Sequence, residues 1–382
     1  MIKIKFENLL VSIVVSVVVF FNTISTTMLE RTFFQVKVNF LFLVVLLLGL
    51  RFLYKMRVSY KYLILSILLL LSGVLVYFQT NRLNFLVYSM LLVLLVNVDM
   101  KVVLRNYVVV AGILVVGVFL LSLVGIVPNL QYNRAGVIRN SFGFIYPTDF
   151  ASHCFYLFLA ISYLLKDKFI WTRSLFGVLL SAFIIKYCDA RLNAVSILLA
   201  TVIFIYFYYS NGKKLKIFAL LPYSAVVFAS VVTYLSYKFS WSNPFLVSIN
   251  KLITGRLALG RNAFDTFGVH LFGTRNVQFI GSGGKTESVI GYNYVDSSYV
   301  QMLFTYGIVP VILLIIIYVV ASRKQYKDGQ YLLVTILSLI AFNCTIEAFW
   351  FVPTYNIFMF LLFTTNTFSK KESNDVVALN ET

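Results

Sequence analysis

The sequence predicts an all-α polytopic membrane protein, and three features carry this prediction. Hydrophobic residues make up 60% of the 382 positions and charged residues only 12%, a balance far outside the range of soluble domains. A helix needs roughly 20 apolar residues to cross a hydrocarbon core about 30 Å thick, and such windows recur along nearly the whole chain. The windows are continuous rather than alternating, so the predicted spans are helices and not strands.

Twelve apolar windows divide the chain. They lie at about 9–27, 38–54, 62–78, 83–98, 106–127, 149–165, 169–187, 192–209, 215–236, 298–321, 330–347 and 351–368. The first follows Lys3 and Lys5 as in a signal sequence, but no small-residue cleavage site comes after it, so we expect an uncleaved span. The predicted units are nine spans in 1–236, a large loop in 237–297, three spans in 298–368 and a polar tail in 369–382. Because the fourth window is short, counts of eleven and thirteen stay open.

The basic residues predict how the chain is oriented in the cell membrane. Nineteen of the 32 lysines and arginines lie in one set of alternate loops, and the positive-inside rule places that set in the cytoplasm. Both termini are therefore expected to be cytoplasmic, and the large loop extracellular. The net charge of +18 is then mostly an orientation signal, so nucleic acid is excluded as a partner.

The large loop is the one long segment too polar to lie in a bilayer. From about Pro244 to Phe267 its apolar residues recur at helical spacing, with interruptions at Gly255 and Gly260, so we expect a short helix along the membrane surface. The stretch GSGGKTES lacks the spacing of a nucleotide-binding P-loop, and we interpret it as a mobile lid over a substrate that enters from the membrane.

The predicted topology brings charges from several loops to the outward face. Besides the large loop they include Asp149, Lys186, Asp189 and Glu347, each of which alone is readily explained as an ordinary juxtamembrane charge. The outward arginines are Arg134, Arg139, Arg191, Arg256, Arg261 and Arg275. Arginine on the outer side runs against the orientation rule, and a cluster of guanidinium groups suits a phosphate or diphosphate, which it grips with paired hydrogen bonds.

Several individual residues leave alternatives open. Arg261 and Asp265 are four residues apart and either pair with each other or serve a ligand. Asp296 precedes a predicted span, where it either caps the helix or is a desolvated, more basic carboxylate. His270 is flanked by bulky apolar residues, and a packed histidine is expected there. His153 lies next to Cys154, and because adjacent helical residues point about 100° apart, the two do not form a metal site.

Four stretches together resemble a known family. They are RNSFGFIYPTDFAS, DARLNAVSILL, ITGRLALGRNAF with HLFGT, and VDSSYVQMLFTYGIVP, spread over about 175 residues. In order, spacing and topology they resemble the O-antigen polymerase and ligase superfamily, most closely the Wzy-type polymerases of capsular or exopolysaccharide. The remainder of the chain is similar to that family only in hydropathy.

The resemblance implies glycosyl transfer on the outer leaflet between two polyprenyl-diphosphate-linked glycans. It associates Arg256 and Arg191 with activity, and with Arg139 and Arg261 these residues are expected to hold the donor diphosphate. No carboxylate cluster of the DxD kind is present in the sequence, so we predict an enzyme that needs no metal, and no other cofactor is implied. Membrane lipid and a chain-length regulator protein are the further expected partners.

The catalytic base is expected among three residues. Asp296 is the first choice, with His270 and Asp149 behind it. The ligase branch of the family commonly has His-Asn where this chain has Asp296 and Ser297, and this departure disfavours a ligase. Where the family often has Pro-Asn, this chain has Pro147 and Thr148. The role of the family's asparagine therefore cannot be assigned to Thr148.

Two alternative functions remain. One is a ligase that moves a glycan to another acceptor, and the other is a non-enzymatic flippase or secondary transporter of lipid-linked oligosaccharide. Transporters concentrate polar groups at the bilayer midplane and show broken helices or repeat symmetry. Here the predicted spans are nearly free of midplane charge and one outer loop dominates, which favours an enzyme.

Overall fold

The computed structural model describes residues 6–29, 38–54, 60–134, 136–210, 215–285 and 290–365. Most of these residues are helical. In chain order the helices are α1 (Phe6–Ile24), α2 (Val38–Tyr54), α3 (Tyr60–Thr80), α4 (Asn84–Leu94), α5 (Met100–Leu123), α6 (Pro147–Leu164), α7 (Ile170–Cys188), α8 (Arg191–Tyr209), α9 (Ser224–Lys238), α10 (Pro244–Leu252), α11 (Arg256–Phe267), α12 (Ser298–Thr305), α13 (Ile308–Lys327), α14 (Tyr331–Asn343) and α15 (Ile357–Phe360). Two short 3₁₀ helices, Lys216–Ala219 and Leu221–Tyr223, precede α9.

Seven of the described segments are long and apolar enough to span a membrane. They are Glu7–Ile24, Tyr62–Thr80, Met100–Leu123, Ile170–Cys188, Arg191–Tyr209, Lys216–Lys238 and Ile308–Lys327. Three shorter helical segments are also apolar: Phe40–Gly49, Asn84–Leu94 and Tyr331–Asn343. The chain is thus a mostly helical protein with the segments of a membrane-embedded one, as its composition predicts. The count of twelve spans and their orientation stay predictions.

Helix α5 illustrates why these segments suit lipid. One face packs in the core through Val103, Tyr107 and Ala111, and the Tyr107 hydroxyl donates to the Tyr355 carbonyl oxygen at 3.1 Å. The other face exposes a stripe of large apolar side chains at the spacing of successive helical turns: Val109, Ile113, Val116 and Leu120. A helix that is apolar all round is buried or lies in a membrane. Because this stripe is not covered by protein, the second explanation applies.

The surface helix expected in the large loop is two helices, α10 and α11. The chain turns between them at Thr254 and Gly255, where φ is 57° and 88°. Pro244 begins α10, and the Asn243 side chain caps it by accepting from two backbone N–H groups. The Asn250 side chain accepts from the first N–H groups of α11, at 3.0 and 3.1 Å. The glycine supplies the left-handed conformation that a continuous helix does not allow.

The predicted tenth span is likewise divided, into α12 and α13. Gly307 lies between them with φ of 95°, and a Cβ there would come within 2.3 Å of the Gly273 nitrogen. The N–H groups of Ile308 and Val309, which begin α13, donate to the carbonyl oxygens of His270 and Leu271 at 3.0 and 3.1 Å. The loop after α11 therefore docks against the break.

The last two predicted spans are shorter helices than expected. Helix α14 ends at Asn343, and the chain then continues irregularly past Glu347 to the single turn of α15. Residues 366–382, which include the predicted polar tail, lie outside the described part of the chain, as do Lys3 and Lys5.

A small antiparallel hairpin adds strands to the predicted all-helical chain. Strands β1 (Gln131–Arg134) and β2 (Val137–Asn140) pair with Tyr132 opposite Arg139, and Gly136 with φ of 84° lies in their turn. Strand β2 contacts α7, and α6 packs against α5 and α8. The hairpin therefore lies over the end of the bundle where α6 begins.

Candidate functional site

A cavity of about 520 Å³ opens at one end of the bundle. Helix α6 begins at this end, and the chain that follows α14 reaches it. Its wall is built from the chain after α1, the hairpin, the first turn of α6, the start of α11, the segment before α12 and the stretch after α14. Six charged residues line it: Arg134, Arg139, Asp149, Arg256, Asp296 and Glu347. We call it the charged cavity.

Arg256 and Asp296 form an ion pair in this cavity. The Arg256 Nε atom lies 3.0 Å from Asp296 Oδ2, and their side chains are only 17% and 26% exposed. The Nε–H does not point at the carboxylate with hydrogen-bond geometry, so this buried donor has no hydrogen-bond partner among the described residues. Burial raises the pKa of Asp296, and the charges of Arg256 and Arg139 partly oppose that shift.

Arg139 contributes a second guanidinium from β2. Its Nε donates to the Cys188 carbonyl oxygen at 2.9 Å, while its Nη2 is buried and makes no hydrogen bond within the described part of the chain. Burial and the neighbouring charge of Arg134 lower the pKa of Arg139 from its ordinary value. Buried polar groups are normally hydrogen-bonded, so an unpartnered donor in a cavity wall indicates a site for an acceptor.

Asp189 holds the arginines next to this wall. It ends α7 in the left-handed conformation, with φ of 45°. Its carboxylate accepts from Arg134 Nη2 and, at 2.8 Å, from Arg191 Nε. Burial raises the pKa of Asp189, but hydrogen bonds from Arg191 and Arg134 outweigh this and lower it. The Arg191 side chain is 70% exposed and lies outside the cavity lining, so the structure brings it near the site but not into it.

Asp149 and Glu347 are buried carboxylates in the same cavity. Neither has an ion pair to a described lysine or arginine. Asp149 Oδ2 accepts from the Tyr146 N–H at 3.2 Å and so caps the first turn of α6. Glu347 Oε1 accepts from Asn193 Nδ2 at 3.2 Å, and Asn193 Oδ1 accepts in turn from Asn343. Buried charge without a paired ion is costly near hydrocarbon, so both are functional candidates.

Other predicted site residues lie elsewhere. Arg261 donates twice to Asp265, at 2.9 and 2.7 Å, and once to the Tyr237 carbonyl oxygen at 2.6 Å. The structure therefore adopts the paired alternative and does not bring Arg261 to the charged cavity. The prediction of a packed His270 is wrong, because its side chain is exposed. The loop docks through its backbone carbonyl on Ile308, which leaves the ring facing outward.

Asp296 is not a helix cap. Helix α12 begins at Ser298 with Ser297 at the capping position, and the Ser297 side chain makes no capping bond. The carboxylate of Asp296 instead meets Arg256. The structure therefore excludes the helix-cap alternative for Asp296, and its catalytic role stays a prediction.

Sequence reasoning missed the aromatic part of this site. Tyr132, Tyr146, Tyr292, Tyr294 and Tyr355 all line the cavity. They lie in segments that read as ordinary amphipathic or apolar sequence, and the only available signal was the clustering of tyrosine near Asp149 and Asp296.

The glycine-rich stretch contacts the cavity through its first residues. Gly281 and Ser282 line it, and the Gly283 N–H donates to the Tyr146 hydroxyl at 2.7 Å. Residues 286–289 lie outside the described part, and a mobile lid stays a prediction.

A second cavity, of about 750 Å³, lies at the opposite end of α6. Its lining is mainly aromatic and comes from the end of α6, the end of α8 and the start of α14, with Lys166 and Asp167 as its charges. We call it the aromatic cavity. Since α6 has 18 residues, the two cavities are separated by about 27 Å along its axis.

No group of three or more histidine, cysteine or acidic side chains suited to a metal ion occurs among the described residues. Comparisons with protein-family models, characterised proteins and solved structures find no match to this chain. The function must therefore be argued from the charged cavity itself.

Proposed function

We propose that this chain is a membrane glycosyltransferase that polymerises polysaccharide. It transfers a growing glycan from its polyprenyl diphosphate to an incoming lipid-linked repeat unit on the outer face of the cell membrane. One observation carries the proposal: Arg139 and Arg256 line a single cavity at one end of an apolar bundle, and Arg139 has a buried N–H donor with no hydrogen-bond partner among the described residues.

The two guanidinium groups suit a diphosphate leaving group. When the bond between the sugar and the diphosphate breaks, negative charge develops on the leaving oxygen. Charge-assisted hydrogen bonds from guanidinium groups stabilise such charge, most strongly where water is excluded. Arg139 and Arg256 approach from the hairpin and from α11, so two separate elements grip the same group. Independence from metal stays a prediction of this scheme, and undiminished synthesis in the presence of a chelator is the expected result.

The carboxylates of the cavity suit the other half of the reaction. Forming the new glycosidic bond removes a proton from the acceptor hydroxyl, and a carboxylate that is poorly solvated is a stronger base than one in water. Asp149, Asp296 and Glu347 all line the cavity that also holds the arginines. Donor and acceptor chemistry therefore share one space.

The apolar surface of the bundle suits a lipid-linked substrate. Exposed apolar stripes such as that of α5 would keep the polyprenyl chain and the protein in the same bilayer. Arg323, Lys324 and Lys327 lie at the end of α13, and they are among the cations from which the orientation is predicted. The charged cavity would then face the outside, where lipid-linked repeat units are presented.

The transporter alternative has one structural feature in its favour, the break between α12 and α13. In transporters the free backbone groups at such breaks bind substrate or ions. Here the loop carbonyls of His270 and Leu271 accept from the first N–H groups of α13, so these groups are occupied by protein. The enzyme is therefore the better supported function.

A gel of lipid-linked glycans from cells with and without the gene tests the proposal. Loss of the gene should leave single lipid-linked repeat units on the outer leaflet and no long chains. Long lipid-linked chains that fail to reach a final acceptor would indicate a ligase instead. Single units trapped on the cytoplasmic side would indicate a flippase.

A complementation series extends the test to the site. Arg256→Ala should fail to restore long chains, whereas Arg275→Ala, which removes an exposed arginine of the same loop outside the cavity, should restore them. Full restoration by Arg256→Ala and by Arg191→Ala would contradict the assignment of the arginines.

A further inference from the structure

The three carboxylates of the charged cavity have different surroundings, and these differences separate their roles. The inference rests on the proposed function, because it concerns which group takes the acceptor proton. Asp296 is 3.0 Å from the Arg256 guanidinium, whereas Asp149 and Glu347 have no ion pair with a described cation.

Asp296 is engaged by Arg256. A positive charge at ion-pair distance favours the ionised carboxylate and offsets part of the rise in pKa that burial causes in Asp296. Proton transfer to Asp296 would also remove the counter-charge of Arg256 when that residue must stay oriented toward the leaving group. The geometry therefore suits Asp296 to positioning Arg256.

Glu347 is fixed in a network of amides beneath the cavity. Its Oε1 accepts from Asn193, and Asn193 bridges to Asn343, whose Nδ2 also donates to Ser196 at 3.1 Å. The backbone of Glu347 is held as well, because the Ser298 hydroxyl donates to its carbonyl oxygen. These contacts suit a structural role in joining α8, α12 and the end of α14.

Asp149 leaves one carboxylate oxygen without a hydrogen bond to a described residue, as Glu347 does, but Asp149 also lies beside a tyrosine hydroxyl of the cavity wall. The hydrogen bonds of the described residues use only its Oδ2, through the Tyr146 N–H, so Oδ1 is left for a ligand in the cavity. The Tyr355 hydroxyl, also in the cavity wall, is buried next to Asp149 and Thr26, within reach of a hydrogen bond to the Asp149 carboxylate. A hydroxyl in this position can bind the same acceptor oxygen or the carboxylate beside it.

We propose that Asp149 accepts the proton of the acceptor hydroxyl and that Tyr355 positions that hydroxyl. The acceptor oxygen attacks the anomeric carbon of the donor as its proton passes to Asp149. The bond between that carbon and the diphosphate oxygen breaks, and its electron pair leaves with the diphosphate held by Arg139 and Arg256. Asp149 returns the proton to the departing diphosphate or to water.

The experiment uses the purified full chain in lipid nanodiscs, with single lipid-linked repeat units isolated from cells that lack the gene. Asp149→Asn keeps an oxygen that can accept from the Tyr146 N–H. It should lower kcat by about 10²–10⁴-fold, the range for removal of a general base, with the KM for the lipid-linked unit within about threefold of wild type. Asp296→Asn should instead mainly raise this KM. Asp265→Asn, an exposed carboxylate outside the cavity, is the matched control.

The dependence of activity on pH tests the role of Asp149, because a residue with a purely structural role would not change the shape of this dependence. The titratable groups around Asp149 are Tyr146, Tyr294, Asp296, Glu347 and Tyr355. Because two of them are carboxylates, the pH profiles of variants that lack each carboxylate must be compared. In Asp296→Asn and in Glu347→Gln, activity should still fall as the pH becomes acidic. In Asp149→Asn, the residual activity should no longer fall with acid. Because the first two variants leave Asp149 in place, they test the inference even if Asp149→Asn does not fold.

Tyr355→Phe should lower kcat about tenfold without changing the pH profile, as expected for a positioning hydroxyl. Wild-type kcat in Asp149→Asn, or loss of the acidic limb in Asp296→Asn or Glu347→Gln, would overturn the inference while leaving the polymerase in place. Absence of any polymer from the wild-type protein would overturn the proposed function itself.

Discussion

The charged cavity and the aromatic cavity lie at opposite ends of the same bundle and differ in what lines them. The aromatic cavity is the larger, at about 750 Å³ against 520 Å³, yet only Lys166 and Asp167 bring charge to it. Tyrosines at the end of a bundle are expected where side chains meet the membrane interface. Six charges, by contrast, converge on the smaller cavity from separate segments. Volume therefore does not distinguish the two cavities as candidate sites, whereas the number of converging buried charges does.

The largest difference between the two cavities is expected for arginine removal. Arg256→Ala and Arg139→Ala should each lower the rate of polymer formation by about 10²–10³-fold, because each removes a donor to the proposed diphosphate leaving group. Lys166→Ala, in the aromatic cavity, should leave the rate within about twofold. The rates are measured on isolated lipid-linked repeat units. Equal losses at both cavities would mean that the charged cavity has no special role.

The next effect concerns how the loop that carries Arg256 is held to the bundle. Gly307→Ala should destabilise the protein by about 2–5 kcal/mol, since a Cβ would meet the Gly273 nitrogen at 2.3 Å and the backbone has positive φ. Gly112→Ala is the control, because a Cβ there has no neighbour within 4 Å. Thermal unfolding in detergent compares the two variants. A similar melting temperature for both would show that the loop does not depend on this close contact.

A smaller effect is expected from Asp189, which orients the arginines beside the charged cavity. Asp189→Asn keeps the left-handed conformation that asparagine tolerates, but it removes the charge that holds Arg134 and Arg191. Affinity for undecaprenyl diphosphate should fall about tenfold, as for the loss of one charge-assisted hydrogen bond. Arg191→Ala should produce a loss of the same kind, because Arg191 contacts Asp189 rather than the cavity. Unchanged affinity in both variants would remove this turn from the site.

Asp189 also predicts a dependence of stability on pH. The pairing arginines lower its folded pKa below the ordinary value of 3.8, so the pairs contribute stability above that pH. This contribution is lost as the pH falls through the folded pKa. Unfolding of wild type and Asp189→Asn should therefore differ most at neutral pH and converge in acid.

The smallest effect is expected where the glycine-rich stretch meets the charged cavity. Tyr146→Phe removes the hydroxyl that accepts from the Gly283 N–H, at a cost of about 1 kcal/mol. Hydrogen exchange of the Gly283 amide should accelerate about fivefold. Tyr132→Phe is the control, because that hydroxyl donates to the Ile145 carbonyl oxygen instead. Unaltered exchange at Gly283 in Tyr146→Phe would argue against an anchored segment.

Three of the residues predicted for the site meet in the charged cavity, and their roles stay predictions. Arg139, Arg256 and Asp296 are far apart in the chain, and the expectation that they share one face agrees with their presence in one cavity. Arg261 and His270 lie in the same loop but not in the cavity. Arg261 lies five positions after Arg256, yet α11 directs it toward Asp265 and Tyr237. Spacing along a chain predicts which side of the membrane a residue occupies, but it does not predict which neighbour its side chain meets.

The hairpin illustrates a second limit of the sequence. Strands β1 and β2 have four residues each and no alternation of apolar and polar side chains, so nothing local distinguishes them from a loop. They form because Arg139 and Asn140 donate to carbonyl oxygens at the end of α7, at 2.9 and 3.3 Å. The residues that make these contacts are at least 47 positions apart in the sequence.

The amino-acid sequence alone established that the chain is helical and suited to a membrane, because hydrocarbon admits only long apolar runs that satisfy their own backbone hydrogen bonds. That requirement is local, and it can be recognised window by window. The pairing of Arg256 with Asp296, the sharing of Asp189 by two arginines and the burial of Asp149 in the same cavity depended on the packed structure. Each is set by the positions of several helix ends at once, and those positions follow from contacts between distant parts of the chain.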